Sequence, residues 1–390
     1  QSQLFQVRYR ADDIVGILGS DIDSLYIDQE IEWYSSPLGV SIYNSSSRKW
    51  TQFTFPENMT FNDFESYNSS TSMIAHSSGI TKIDLDGSSE FISIPDSDDG
   101  ISEVNSIEFN EDNKILAVRI TNENTVIELL IEGDTWKNLV VDRDGWDTEL
   151  FRIEMVSDEN DLLIRAHDLF GSKTCRLSKQ NLIMFDLDEV QCEWGELFIG
   201  QNKLTELGGL IWDVTSTDSE EMTLMSNISL NFSDSIGINS SNFGIPDGTL
   251  LAFGCDGVWI KEEQILYVWN STKFSPSQVL VPYGAEKNQG FIDDACIKMN
   301  RSLILAKEGV VTTSRTSSGI KENARIPLIR TIESENLIPL MGMAVEGKFN
   351  FAYSPPNEGD FDFPGWVTNT LSLEESENLS FLGVIPYLFG

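Results

Sequence analysis

The sequence predicts an all-β fold, a β-propeller of seven or eight four-stranded blades. Three observations predict it. No stretch keeps a helical apolar period. Ser, Thr, Asn, Asp and Gly break the chain into apolar runs of about four to eight residues, the length of strands. Those runs also recur in units. Apolar strands centred on Leu25, Met73, Ile115, Leu162, Leu207, Leu250, Leu303 and Phe349 are about 42 to 53 residues apart, close to the ~40–50 of a propeller blade. A lone sheet of this kind leaves an apolar face in water, and radial stacking buries both faces. Residues 1–390 are therefore read as one propeller domain. The alternative is a pair of tandem β-sandwich domains divided at residues 216–241, the most polar and Ser-rich stretch.

Taken in order, LFQVRYR within residues 1–12 is a lead-in strand, expected to close the ring with the C-terminal blade. The first unit has SLYIDQEIEWYS, GVSIYN and KWTQFTF. The second has TSMIAHSS, GITKIDL and SEFISI. The third has NKILAVRI, TVIELLI and WKNLVV. The fourth has NDLLIRAHD, SKTCRLS and NLIMFDL. GELFIG leads into the fifth, which has LGGLIWDV and MTLMSNISL. The sixth, residues 247–270, is the clearest meander and runs on to SQVLVPY. The seventh has RSLILAKE, GVVTTSR and RIPLIRT, and the eighth has GKFNFAYS, GWVTNTLSL and NLSFLGVIP.

Composition narrows the function. The chain carries 62 Asp and Glu against 26 Lys and Arg, a net charge of −36. Phosphate binding needs Lys and Arg to displace counterions, so nucleic acid is excluded as a partner. The same excess argues against anionic membrane surfaces, and no apolar run reaches the ~18–20 residues that span a bilayer.

The remaining signals point outside the cell. A chain that starts at Gln1 reads as a processed one, its signal peptide removed. The four cysteines, Cys175, Cys192, Cys255 and Cys296, form no C-x-x-C pair and suit two disulfides. Cys175 with Cys192 and Cys255 with Cys296 is the pairing nearest in sequence, and the other two pairings stay open. N-x-S/T sequons stand at Asn44, Asn58, Asn68, Asn227, Asn231, Asn239, Asn270, Asn300 and Asn378.

Chemistry is sparse. Asp142, Asp144, Asp147 and Glu149 alternate around Gly145, offering the hard oxygen ligands that Ca²⁺ takes. The glycine stands three positions after the first Asp, two places early for the usual calcium loop. A looser run spans residues 96–103. Trp146, inside the acidic loop, is the tryptophan expected to meet a ligand, and the others are expected in the core. His76 and His167 are the only imidazoles, and no G-x-S-x-G accompanies them, so no catalytic residue is assigned.

These signals predict a secreted, N-glycosylated, non-enzymatic interaction or structural protein. Its partner would be an extracellular protein or glycan, or further copies of itself. Two alternatives remain: a carbohydrate-active hydrolase with paired carboxylates in the propeller funnel, and a calcium-dependent lectin using the acidic loop.

Overall fold

The structure is a computed structural model. It describes residues 16–19, 22–56, 59–68, 70–92, 94, 103–109, 114–120, 127–131, 136–140, 150–157, 161–169, 171–179, 189–191, 193–198, 203–214, 222–225, 243–246, 250–261, 265–282, 294–306, 309–325, 327–328, 338–345, 348–354 and 367–372.

Successive antiparallel meanders make up the fold, as the propeller class requires. Sheet 1 is Ser24–Asp28, Ile31–Ser36, Gly39–Asn44 and Lys49–Thr54. Sheet 2 is Phe61–Asn68, Thr71–His76, Gly79–Asp84 and Ser89–Ile92. Sheet 3 is Ser106–Phe109, Ile115–Ile120, Ile127–Ile131 and Lys137–Val140, with Glu189–Gln191 added in parallel. Sheet 4 is Arg152–Ser157, Asp161–His167, Ser172–Ser178 and Glu193–Phe198. Sheet 5 has three described strands, Lys203–Leu207, Leu210–Val214 and Thr223–Leu224. Sheet 6 is Leu250–Gly254, Gly257–Ile260, Ile265–Trp269 and Phe274–Pro276. Sheet 7 is Ala295–Lys298, Arg301–Ala306, Gly309–Thr316 and Gly319–Arg325. An eighth sheet joins Ile338–Val345, Lys348–Ser354 and Val367–Ser372 to two short parallel pieces, Pro327–Leu328 and Ile17–Leu18.

Two compact units hold these sheets. One is Pro56–Pro276, and the other joins Gln1–Phe55 to Ser277–Gly390. Neither boundary falls at residues 216–241, where the sandwich alternative would have divided the chain.

Burial explains why some strands are apolar on both faces. In sheet 3, Ile115 and Ala117 pack with Met73, Ala75 and Ile80 of sheet 2. Their neighbours Leu116 and Val118 point the other way, onto Ile153, Met155, Leu162 and Ile164 of sheet 4. Leu163, one residue out of phase, packs on Leu204 and Ile211 of sheet 5. A period of two with both faces covered gives the continuous runs ILAV and LLI.

The structure corrects the phase of the repeat. Met73, Ile115, Leu162, Leu303 and Phe349 lie in second strands, not first ones. The strands ahead of them, Phe61–Asn68, Ser106–Phe109, Arg152–Ser157, Ala295–Lys298 and Ile338–Val345, are too polar, too short or too irregular to read as strands. Two further boundaries shift. GELFIG supplies the end of the fourth strand of sheet 4 instead of a lead-in, and sheet 6 closes at Phe274–Pro276, before SQVLVPY. The lead-in strand of residues 1–12 lies outside the described residues.

Three of the seven described tryptophans are fully buried in the core, and Trp50, Trp136, Trp194 and Trp269 are half-buried. Trp33, Trp212 and Trp259 have no exposed surface. Trp212 meets Phe243, Trp269 and Phe274 at ring-centroid distances of 5.3, 6.2 and 5.5 Å. Gly208, at φ +64°, makes this packing possible, because a Cβ there would lie 2.2 Å from Trp269.

Candidate functional site

The calcium ligands expected at Asp142, Asp144, Asp147 and Glu149, together with Trp146, lie outside the described residues. So do Asn58, Asn227, Asn231, Asn239, Asn378 and Cys192. Among the described residues, no three His, Cys, Asp or Glu side chains converge as a metal would require. Cys175, Cys255 and Cys296 are each disulfide-bonded.

Both histidines are held by neighbouring strands or turns of their own sheets. His76 is fully buried. Its Nδ1 accepts from the Ser78 backbone N–H at 3.1 Å, and its Nε2 lies 2.9 Å from the Thr81 hydroxyl. The neutral tautomer with the proton on Nε2 satisfies both contacts, and burial pushes the imidazole below its usual pKa. His167 Nε2 sits 3.1 Å from Glu154 Oε1. Burial would raise the Glu154 pKa, yet the His167 hydrogen bond and the guanidinium groups of Arg165 and Arg152 hold it below the ordinary value.

A group of carboxylates, three of them with raised pKa values, lies on the first strands of sheets 2, 3 and 5, which the sequence did not mark. Asp63 and Glu65 stand at i and i+2 on Phe61–Asn68, and so share one face of it. Glu108 comes from sheet 3 and Glu206 from sheet 5. Asp63 is pinned in place. Its Oδ2 accepts from Ser106 Oγ at 2.5 Å and from Ile107 N at 3.0 Å, and its Oδ1 accepts from Phe64 N at 2.8 Å. Ser106 Oγ in turn accepts from Met155 N at 3.2 Å, so one serine links sheets 2, 3 and 4. Glu108 Oε2 accepts from Ser157 Oγ at 3.0 Å.

Electrostatics in this group favour the protonated acids. Burial raises Asp63 despite its hydrogen bonds. Burial raises Glu65 well above the ordinary value, and Glu108, Asp63 and Glu206 add to the effect, all of them carboxylates. Glu108 is pushed up to about 8 by burial and by the charge of Glu206, with Lys179 acting weakly against it. Glu108 therefore holds its proton at neutral pH, and the neighbouring carboxylates disfavour one another's ionisation. Chemically, such a group can hold and donate a proton.

A second polar centre is structural. Glu32 of sheet 1 has no exposed surface. It accepts from Arg325 Nε at 2.9 Å and Nη2 at 3.3 Å, and from Arg301 and Tyr34. Burial opposes its ionisation, but the two guanidinium groups lower its pKa overall. Arg325 also lies 4.0 Å over the Tyr43 ring. Strand one of sheet 1 packs on strands one and two of sheet 7, and this ion cluster joins the two sheets.

The turns of the sheets form the remaining surface. Asn270 is exposed, its Oδ1 accepting from Thr272 N, Thr272 Oγ1 and Lys273 N at 3.2, 2.9 and 3.0 Å. Large apolar side chains also reach solvent, among them Phe151 at 63% and Leu169 at 77% exposure.

No protein-family model matches the chain, and no curated protein matches it. Among solved structures, the Dos1 propeller aligns with a TM-score of 0.42 at 11% identity, over 92% of this chain and 93% of that one. YCF48 from Cyanidioschyzon merolae aligns with a TM-score of 0.44 at 13% identity, over 75% of this chain and 93% of that one. A chain of the mitotic checkpoint complex aligns with a TM-score of 0.42 at 9% identity, over 83% and 99%. No functional inference is drawn from likenesses this distant.

Proposed function

We propose that this protein is a secreted, N-glycosylated recognition protein that binds another protein through exposed turns of its sheets. The observation that carries the reading is the disulfide bonding of Cys175, Cys255 and Cys296. Disulfides persist in oxidising compartments and are reduced in the cytosol. Exposed Phe151 and Leu169 support the recognition role. Both stand at one end of sheet 4, where the Phe151 backbone N–H donates to His167 O at 3.1 Å and Leu169 follows two residues after His167. With a net charge of −36, the fitting partner presents apolar side chains among Lys and Arg.

Two measurements test this. Reductant should lower the thermal midpoint by the equivalent of about 2–5 kcal/mol, the usual cost of losing a native disulfide. An unchanged midpoint would remove the support for an oxidising compartment. Labelled protein should also bind cell surfaces saturably, and Phe151→Ser with Leu169→Ser should abolish that binding while the melt stays the same. Equal binding by the variant would sink the recognition surface.

The first-strand carboxylates favour a second reading, a carbohydrate-active hydrolase with Glu108 as general acid. Glu108 keeps its proton to about pH 8 beside other carboxylates, as a general acid must. Turnover of a glycan library with a basic pH limit near 8, lost in Glu108→Gln, is the expected signature. No turnover of any glycan would end that reading.

A further inference from the structure

The sequons on described residues are not scattered over their sheets. In a four-stranded meander, the first-to-second and third-to-fourth turns share one edge. The second-to-third turn takes the opposite edge, with the connections between sheets. Asn44 ends the third strand of sheet 1, and Asn68 ends the first strand of sheet 2. Asn270 follows the third strand of sheet 6, and Asn300 sits between the first two strands of sheet 7. All four therefore occupy the first kind of edge. Contacts between sheets 1 and 7 agree. Arg301, next to Asn300, donates to Gln29 O at 2.9 Å, and Ser45, next to Asn44, donates to Glu30 O at 2.8 Å.

The exposed apolar side chains take the other edge. Leu38 and Leu169 stand in second-to-third turns, and Ile265 opens the third strand of sheet 6. Phe91 covers Gly79, which opens the third strand of sheet 2. Phe151 directly precedes the first strand of sheet 4, and Leu280 lies on the connection into sheet 7. Ile320, in the last strand of sheet 7, is the exception.

We infer that N-linked glycans occupy the first-to-second and third-to-fourth turn edges, with Asn270 the principal acceptor, and leave the apolar edge bare. The inference rests on the secreted reading above. Asn270 is favoured because it and Thr272 are both exposed and the Thr272 hydroxyl donates to its Oδ1 at 2.9 Å, while its Nδ2 donates to Ser275 Oγ at 2.9 Å, a bond the transferring enzyme has to displace. In the sequon of Asn300, by contrast, the Ser302 hydroxyl is buried and lies 2.6 Å from Thr313 Oγ1. Once sheet 7 has formed, that hydroxyl is out of reach of an enzyme. Asn44 is intermediate: it is half-buried where Asn270 is exposed, although Ser46 of its sequon is exposed. The donor required is an oligosaccharide carried on a lipid diphosphate. Asn Nδ2 forms the new bond to the anomeric carbon and gives up one proton to a base of the transferring enzyme. The bond from that carbon to the diphosphate oxygen breaks, and the diphosphate leaves with the electron pair.

The test is site-by-site occupancy on the full chain, expressed through a eukaryotic secretory pathway. Release by peptide-N-glycosidase in heavy-oxygen water converts each glycosylated Asn into a labelled Asp, read by peptide mapping. Label at Asn270 and Asn44, with less at Asn300, is expected, and Asn270→Gln should remove one glycan without changing the melt. Label at Asn58, in the connection between sheets 1 and 2, overturns the sided arrangement. So does an unlabelled Asn270 when any other sequon is labelled. No label at any sequon instead overturns the secreted-glycoprotein reading on which the inference stands.

Discussion

Two single residues show how local chemistry fixes this fold. Glu32 is a carboxylate with no exposed surface, kept ionised only because Arg325 and Arg301 face it. Removing one partner of a buried ion cluster leaves charge without compensation and costs about 3–5 kcal/mol. Glu32→Ala should therefore lower stability by that order in chemical denaturation, and a change below about 1 kcal/mol would show that the cluster is not holding sheets 1 and 7. Gly208 makes the complementary point for backbone. Its φ of +64° suits glycine, and Trp269 stands where a Cβ would go. Gly208→Ala adds the strain of a left-handed residue, about 1 kcal/mol, to a backbone shift in sheet 5. The expected loss of about 2–3 kcal/mol should come with a changed near-UV signal from the tryptophans around Trp212. A melt like that of the unmodified chain would show that sheet 5 can move away from Trp269 freely.

At the scale of elements, the sequence gives up the middle strands of each sheet and hides the first ones. Ile115–Ile120 and Asp161–His167 are buried on both faces, so their apolar runs are unbroken and easily read. Phe61–Asn68 carries Asn62, Asp63 and Glu65, and Arg152–Ser157 carries Glu154, so both read as polar linkers. Of these, Asp63 and Glu65 belong to the first-strand carboxylate group, and their charge is what hides the strand that carries them. Arg152–Ser157 keeps its alternation, with Ile153, Met155 and Ser157 buried, but it is six residues long and also carries charged Arg152 and Glu154. The turns were legible, since sequons and Gly pairs mark them, but which edge they share required the strand pairing. Asp63 lets this be tested at element scale. Asp63→Asn puts an NH₂ where Ser106 and Ile107 each donate, so one of them loses its acceptor. An unmade buried hydrogen bond costs about 1–3 kcal/mol. Amide exchange should speed up in Ser106–Phe109 first, ahead of the Ile115–Ile120 strand. Equal acceleration throughout the chain would mean that Asp63 serves global stability and not the joint between sheets 2 and 3.

Across the whole chain, two sets of carboxylates set opposite limits on stability. Glu65, Glu108 and Asp63 have raised pKa values, Glu108 to about 8. Between the ordinary carboxylate range and pH 8, the folded chain keeps protons that the unfolded chain has lost. Their contribution is thus fully present below about pH 4.5 and fades as pH rises toward 8. Glu32 and Glu154 are lowered, so theirs is present above that range and fades as acid protonates them. The two slopes cancel near the ordinary carboxylate pKa, and maximum stability is expected at about pH 4–5. General repulsion from a net charge of −36 slopes the same way as the raised set, and salt separates the two. Surface repulsion is screened over about 3 Å at 1 M salt, while a half-buried carboxylate group is screened much less. Thermal melts from pH 5 to 9 at 1 M salt should therefore keep a decline toward pH 8.5. Glu108→Gln should flatten it, matching the unmodified chain at pH 5 and exceeding it at pH 8.5. About 1 kcal/mol of relief would raise the midpoint by roughly 2–4 °C. If the variant declines in parallel with the unmodified chain, the slope belongs to surface charge, and Glu108 does not hold its proton through neutral pH.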